Sequence, residues 1–325
     1  MPDQGEAANP AAPSPATPTP ATPAERPWLR TLPNGKPISA LGFGCSSLWA
    51  KSSFPDARAA EILDTLLAEG VNHFDTGPSY GEGLGETRLG RWLVGKPLDQ
   101  LVITTKVGTN LVDGRIERGF TPDLIARSLD GSFARLGIDK VDVLYLHGPA
   151  VEDLGTPVFD FFERLKADGR ITYAGVNSFD NPVLMKTAQS PIDIAMLQYN
   201  VADFRNRAAM IALHEAGKVV MSGTALARAR FSPASFLPTS PGKLWYLLRM
   251  MRQEPLFPVT GLRLARRLRE TGKEPAEAAL QFLTGQPMIL SSLFGTSSVE
   301  HAGENARAGH GQLSNRQWTR LADYA

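Results

Sequence analysis

Cysteine is almost missing from this sequence. The 325 residues include one, Cys45. That excludes an intrachain disulfide framework and a zinc site built on several thiolates. It also fits a reducing compartment, so a cytoplasmic location is the expectation. Long apolar runs are missing too: nothing approaches the ~18 consecutive residues of a spanning helix, and no membrane partner is expected. Neither sign of charge prevails, with 34 Lys plus Arg against 33 Asp plus Glu. Without a basic stripe or a recognition motif, no nucleic-acid partner is expected. The N-terminal stretch has no apolar h-region and does not read as a secretion signal. No Gly-x-Gly-x-x-Gly opens a helix after the first strand, which counts against the open dinucleotide-binding sheet. The 5 histidines offer no third convergent ligand beside His73 and Asp75, so no metal is expected.

What is present is unevenly spread. Residues 1–27 hold 8 Pro and 7 Ala. Such a stretch cannot build a core, and residues 1–28 read as a disordered tail ahead of a single domain over 29–325. From there strand and helix alternate. Asn34-Gly35 signals a hairpin. Strands are expected over Ile38–Gly44, Asn72–Thr76, Leu101–Val107, Val141–Leu146, Ile171–Val176, Ile192–Gln198, Lys218–Ser222 and Met288–Phe294. Helices fill the gaps, among them one capped by Asp56 with Ala60, Leu63 and Leu67 on its inner face. Others open at Thr121-Pro122 and Thr156-Pro157. Eight β/α units match a closed (β/α)8 TIM barrel better than an open sheet. Residues 231–269 are irregular, and as an insertion after the seventh strand they are expected to help shape the pocket.

In a barrel of this kind the chemistry sits where strands end. Asp75 ends the second strand, Tyr80 follows five residues later, Lys106 stands near the end of the third, and His147 ends the fourth. Each has an ordinary alternative: a turn cap, a loop aromatic, a solvated strand end, a half-buried imidazole. Their convergence on one mouth favours chemistry. A lysine in an apolar strand needs a partner, and Asp75 is the nearest candidate. A neighbouring ammonium would lower the phenol's pKa, leaving Tyr80 fit for acid/base work. His147 can donate to a substrate oxygen. The four together protonate a carbonyl while something else delivers hydride. No side chain supplies hydride, so a nicotinamide or flavin is implied.

The ordered motifs resemble the aldo-keto reductase superfamily across residues 36–310. They begin with Leu41-Gly42-Phe43-Gly44, Phe74-Asp75-Thr76, Tyr80-Gly81, Gly85-Glu86 and Thr105-Lys106. Tyr145-Leu146-His147, Gly175-Val176, Gln198-Tyr199-Asn200 and Glu304-Asn305 continue the series. The resemblance implies a (β/α)8 barrel holding NAD or NADP in an extended conformation, with Asp75, Tyr80, Lys106 and His147 as its catalytic tetrad. It carries carboxamide contacts to Asn177, Ser178 and Gln198, where the usual Ser-Asn order is reversed. It places the stacking and pyrophosphate segment at Met221, Ser222, Gly223, Thr224 and Leu226. In the last unit it maps Gly295, Thr296, Ser297, Ser298, His301 and Asn305 onto the adenosine end. NADPH-preferring relatives commonly place Lys or Arg where Ser298 stands and Arg where His301 stands. A 2′-phosphate favours fixed positive charge, so the chain leans towards NAD or dual use, unless Arg307 reaches the site.

Substrate is less legible. Trp49 is expected to form one pocket wall, with Tyr80 and His147 at its base and Phe54, Trp245 and Tyr246 as further walls. Arg115 and Arg118 lie in the loop after the third strand, either at the mouth or in solvent. The expected partner is a small carbonyl compound, alcohol or sugar, with direction and oligomeric state open. The other class of function is a non-catalytic, cofactor-binding barrel acting as a redox-sensing or interaction subunit.

Overall fold

The computed structural model describes residues 27–325 apart from 113–114, 228–230, 232–243, 246–247, 249–250, 253–255 and 324–325. Twelve strands are described. They are β1 (Leu29–Thr31), β2 (Pro37–Ser39), β3 (Leu41–Gly44), β4 (His73–Asp75), β5 (Val102–Val107), β6 (Thr109–Val112), β7 (Arg115–Arg118), β8 (Val141–His147), β9 (Ile171–Asn177), β10 (Ile194–Gln198), β11 (Val219–Gly223) and β12 (Ser291–Phe294). Eight of them close into a barrel in the order β10-β11-β12-β3-β4-β5-β8-β9, every neighbour parallel. The described helices are α1 (Asp56–Ala68), α2 (Leu84–Leu93), α3 (Pro122–Leu136), α4 (Thr156–Ala167), α5 (Asn181–Ala188), α6 (Arg207–Glu215), α7 (Phe257–Arg269), α8 (Pro275–Thr284), α9 (Val299–His310) and α10 (Asn315–Ala322). None of them is long and apolar enough to cross a membrane. The chain folds as a TIM barrel.

Two apolar layers explain the closure. Inside the barrel, Val102, Val143, Tyr145, Tyr173, Ile194, Met196, Met221 and Leu293 form one cluster. Leu32 and Ile38 of the β1–β2 hairpin join it, so the hairpin plugs one end. Arg30 holds the plug by donating to the carbonyls of Ile289 and Leu290, each at 2.7 Å, and the Asn34 amide donates to Tyr173 Oη at 2.7 Å. Outside, the strands bury their other faces against the helices, as continuous apolar strands require. Helix starts follow local chemistry. Pro122 stands in the first turn of α3, and Gly137 ends that helix at φ 67°, the left-handed conformation open to glycine. Ser314 and Gln317 cap α10 reciprocally.

Some details differ from the pattern reading. The expected strand Ile38–Gly44 is two strands, β2 and β3, broken at Ala40, because β2 belongs to the plug and β3 to the barrel. Asp56 does not cap α1; it is the first helical residue and bonds Arg88 and Arg91. The buried face of α1 is Ala59, Ile62, Leu63 and Leu66, with Ala60 and Leu67 on its half-buried flank. The loop after β5 contains the β6–β7 hairpin, and α10 follows α9. Of the irregular stretch after β11, residues 232–243, 246–247, 249–250 and 253–255, Tyr246 among them, lie outside the described residues, and so does most of the expected tail, residues 1–26.

Candidate active site

The four strand-end residues meet at one mouth of the barrel. Register places Asp75 beside Thr104, and Lys106 beside Tyr145. The Lys106 ammonium forms an ion pair with Asp75 Oδ2 and donates to the Thr76 carbonyl at 2.8 Å. The other carboxylate oxygen of Asp75 accepts from Thr104 Oγ1 at 2.7 Å. Both charges are buried, at 1% and 2% exposure for Lys106 and Asp75, so each depends on the other. Lys106 Nζ lies 4.8 Å from the centroid of the Tyr80 ring. The Tyr80 and His147 rings stand edge to face, 5.9 Å apart at 80°. His147 Nδ1 lies 3.2 Å from Thr109 Oγ1, which leaves Nε2 for a ligand.

Burial sets the protonation states. It holds His147 neutral, pushing its pKa down to about 3, and the charges of Lys106 and Arg118 act in the same sense. Burial pushes the Tyr80 phenol above its ordinary value, against the charge and hydrogen bonding of Lys106 that pull it down. The expected lowering by the lysine is therefore corrected. The phenol is too deeply desolvated for the ammonium to prevail, and Asp75 opposes it as well. Tyr80 therefore stands as an acid. Burial also pushes up the thiol of Cys45, whose backbone amide donates to the Asp75 carbonyl at 2.7 Å. Burial works against the Lys106 ammonium, yet Asp75 and Tyr80 raise its pKa overall.

Loops hold the tetrad in place. Gly81 follows Tyr80 at φ 60°, and a Cβ there would lie 1.8 Å from the Ala50 carbonyl oxygen, so only glycine lets the Tyr80 loop dock on the Ser47–Ala50 turn. Arg88, buried in α2, anchors that turn. It donates to the carbonyls of Trp49, Lys51 and Phe54 and pairs with Asp56 at 2.6 Å. Glu86 on α2 accepts from Thr105 Oγ1 at 2.6 Å and pairs with Arg135 of α3 at 2.7 Å. In the sequence Glu86 stands out only as part of a motif, and Arg88 does not stand out at all.

A cleft of about 500 Å³ opens above the tetrad. Of the residues expected to bind cofactor, Asn177, Gly223, Thr224, Leu226, Gly295, Thr296 and Ser297 line it, and so does Trp49. Ser46, Ser47, Leu48, Phe179 and Phe294 line it without having been expected. Ser47 and Thr224 hold left-handed backbone, at φ 55° and 58°, a conformation that costs non-glycine residues energy and gathers at functional sites.

The other expected contacts lie elsewhere. Met221 is buried beneath the cleft, its sulfur accepting from Tyr145 Oη at 3.2 Å; its strand register turns it into the barrel. Ser222, on the other face, donates to the Tyr199 carbonyl at 2.7 Å. Ser178 accepts from the Asp180 amide at 3.1 Å, so of the reversed pair Asn177 faces the cleft. Gln198 donates to Asp203 at 2.6 Å. Ser298 caps α9, accepting from the His301 amide at 3.3 Å, and borders a neighbouring groove. His301 is exposed and Asn305 buried, both on α9. Arg307 pairs with Glu69, away from the cleft. Phe54 is buried in the core, and Trp245 is exposed without lining the cleft.

A family model described as the Aldo/keto reductase family matches residues 40–325. The chain belongs to the aldo/keto reductase family. It is therefore an oxidoreductase in the general sense of that family, whose members typically bind NAD(P). It is 31% identical to a D-threo-aldose 1-dehydrogenase of a Pseudomonas species over 188 residues, covering 50% of this chain and 57% of that protein. It is 28% identical to the uncharacterized oxidoreductase YqkF of Bacillus subtilis over 276 residues, covering 83% and 87%. The holo form of aldo-keto reductase AKR11C1 from Bacillus halodurans superposes with a TM-score of 0.76 at 25% identity, covering 93% of this chain and 97% of that one.

Proposed function

We propose that this aldo/keto reductase interconverts a carbonyl and an alcohol of a small molecule, with Tyr80 as the general acid/base. The observation that carries the reading is the buried Asp75–Lys106 pair set against Tyr80 and a neutral His147 at the base of one cleft.

The cleft suits a nicotinamide dinucleotide. Asn177 is buried, and its side-chain amide makes a long hydrogen bond, 3.5 Å from Nδ2 to the Met196 carbonyl, which a carboxamide can readily replace. Gly223 and Gly295 leave open backbone on the cleft wall, and the N-terminus of α9 lies close by for phosphate. When bound, NAD(P)H supplies hydride, two electrons, to the carbonyl carbon. Tyr80 gives its phenolic proton to the oxygen as that charge develops. Lys106 stabilises the phenolate left behind, and Asp75 keeps the ammonium charged and directed. His147, with Nδ1 accepting from Thr109, carries its hydrogen on Nε2 and donates to the same oxygen. Tyr80 then regains a proton from solvent. In oxidation the same steps run backwards.

The groove beside Ser298 holds two carboxylates, Glu61 and Glu300, against one guanidinium, Arg58. That balance disfavours a 2′-phosphate and supports NAD or dual use. Turnover of NADH and NADPH against a panel of carbonyls and sugars tests the reading. Tyr80→Phe should abolish turnover and leave cofactor affinity within a few-fold; full activity in that variant would sink the mechanism. Ser298→Arg should shift relative dissociation constants towards NADP and lose about 1 kcal/mol of stability with the cap. Unchanged relative constants would show that the phosphate lies elsewhere.

A further inference from the structure

The mouth of the barrel carries a cation that the tetrad does not use. Arg118 ends β7, and the β6–β7 register sets it directly opposite Thr109. Residues opposite each other in an antiparallel pair project from the same face. That face is fixed at Thr109, which is buried with its hydroxyl on His147. Arg118 thus stands on the His147 side of the hairpin, and Glu117, one residue back, projects from the other side. Among the described residues Arg118 is exposed and has no ion pair, whereas Arg88, Arg135, Arg170, Arg205 and Arg307 each have a carboxylate. Its charge is nevertheless felt at the imidazole. Among the described residues the one carboxylate lining the cleft is Asp75, already neutralised by Lys106. A substrate entering this mouth meets a phenol and a neutral imidazole, and the Arg118 guanidinium, which does not itself line the cleft, stands on the His147 side of the adjoining hairpin.

We propose that Arg118 is a specificity-determining residue that receives an anionic end of the substrate, and that the preferred substrates are short aldehydes or ketones bearing a carboxylate or phosphate away from the carbonyl. This rests on the reading that carbonyl oxygen sits between Tyr80 and His147. A guanidinium can bind either anion through two parallel hydrogen bonds. Anchored there, the far end of the molecule would hold its carbonyl against Tyr80.

Two matched pairs test the assignment: 4-oxobutanoate against its methyl ester, and glyceraldehyde 3-phosphate against glyceraldehyde. Each is assayed for kcat/KM with NADH and with NADPH. At least one anionic member should exceed its neutral partner about tenfold or more, and the pair that shows it separates carboxylate from phosphate. The ratio should shrink as salt rises and fall towards one in Arg118→Met, with part of it kept in Arg118→Lys. Circular dichroism and thermal midpoints check that both variants fold. A wild-type ratio near one in both pairs, or a ratio retained in Arg118→Met, overturns the role of Arg118 while turnover of the neutral members leaves the oxidoreductase reading intact. No turnover of any of the four with either nicotinamide overturns both.

Discussion

The protonation state of Tyr80 depends on opposing forces of similar kind. Lys106 favours the phenolate and burial favours the phenol, and burial prevails. Ultraviolet titration of wild type against Tyr80→Phe, without cofactor, should therefore show no tyrosinate signal assignable to Tyr80 below pH about 10. A step near neutrality would mean that the Lys106 charge outweighs burial after all. Cys45 follows from the same desolvation. It is buried with its thiol held up, so a thiol reagent should label it only on unfolding, and rapid labelling of native protein would contradict its placement. That Asp75, Tyr80, Lys106 and His147 come together was legible in the sequence because neighbouring strands of a barrel end at one mouth. The direction of the Tyr80 shift was not legible. It depends on how much water the closed barrel removes, which no pairing rule contains. The faces of Met221 and Ser222 were not legible for a related reason: the motif gave their position along β11 but not the side each turns to.

At the scale of elements, strands and helices of the barrel were legible from apolar runs alternating with helix caps. The β6–β7 hairpin was not, although Asp113-Gly114 between two extended runs is a strong hairpin signal; a strand-end search passes over it because neither arm belongs to the barrel. The hairpin matters nonetheless, because Thr109 sets the free nitrogen of His147. The Tyr80 loop is the other element whose geometry the site cannot do without. Gly81→Ala would force left-handed backbone on a residue that resists it and press a methyl into the Ala50 carbonyl. The loop must lift, and Tyr80 moves with it. Displacement of a catalytic group by about 1 Å can cost about a hundredfold. We expect kcat to fall on that scale while the thermal midpoint, set by the barrel layers, moves by only a few degrees. Loss of folding without a selective loss of rate would mean the loop supports the barrel instead of the phenol.

Across the whole molecule, acid sensitivity traces to two imidazoles kept out of water. His73 is fully buried in β4, with Nδ1 2.9 Å from Ser291 Oγ, and its pKa is pushed down to about 3 by burial, assisted by the charge of Lys106. His147 is held down to about 3 as well. An unfolded histidine takes its proton near pH 6.5. Between that value and about 3 the unfolded chain binds a proton at each site that the folded chain refuses, so acid favours unfolding. The stabilising contribution is complete above pH 6.5 and is lost progressively below it. Each site at full effect contributes a slope of about 1.4 kcal/mol per pH unit, and the two together about 2.7. Urea midpoints measured at steps from pH 7.5 to 5 should be flat at first and then fall below about pH 6.5. This window lies above the range where Asp56, Asp64 and Asp203, all held below the usual carboxylate value by their basic partners, begin to add their own losses. His147→Gln removes one titrating group and should flatten the fall by about half. A midpoint constant down to pH 5, or an unchanged slope in that variant, would show that the closed barrel admits enough water to protonate its histidines, and with that the neutral donor assigned to His147 would be lost.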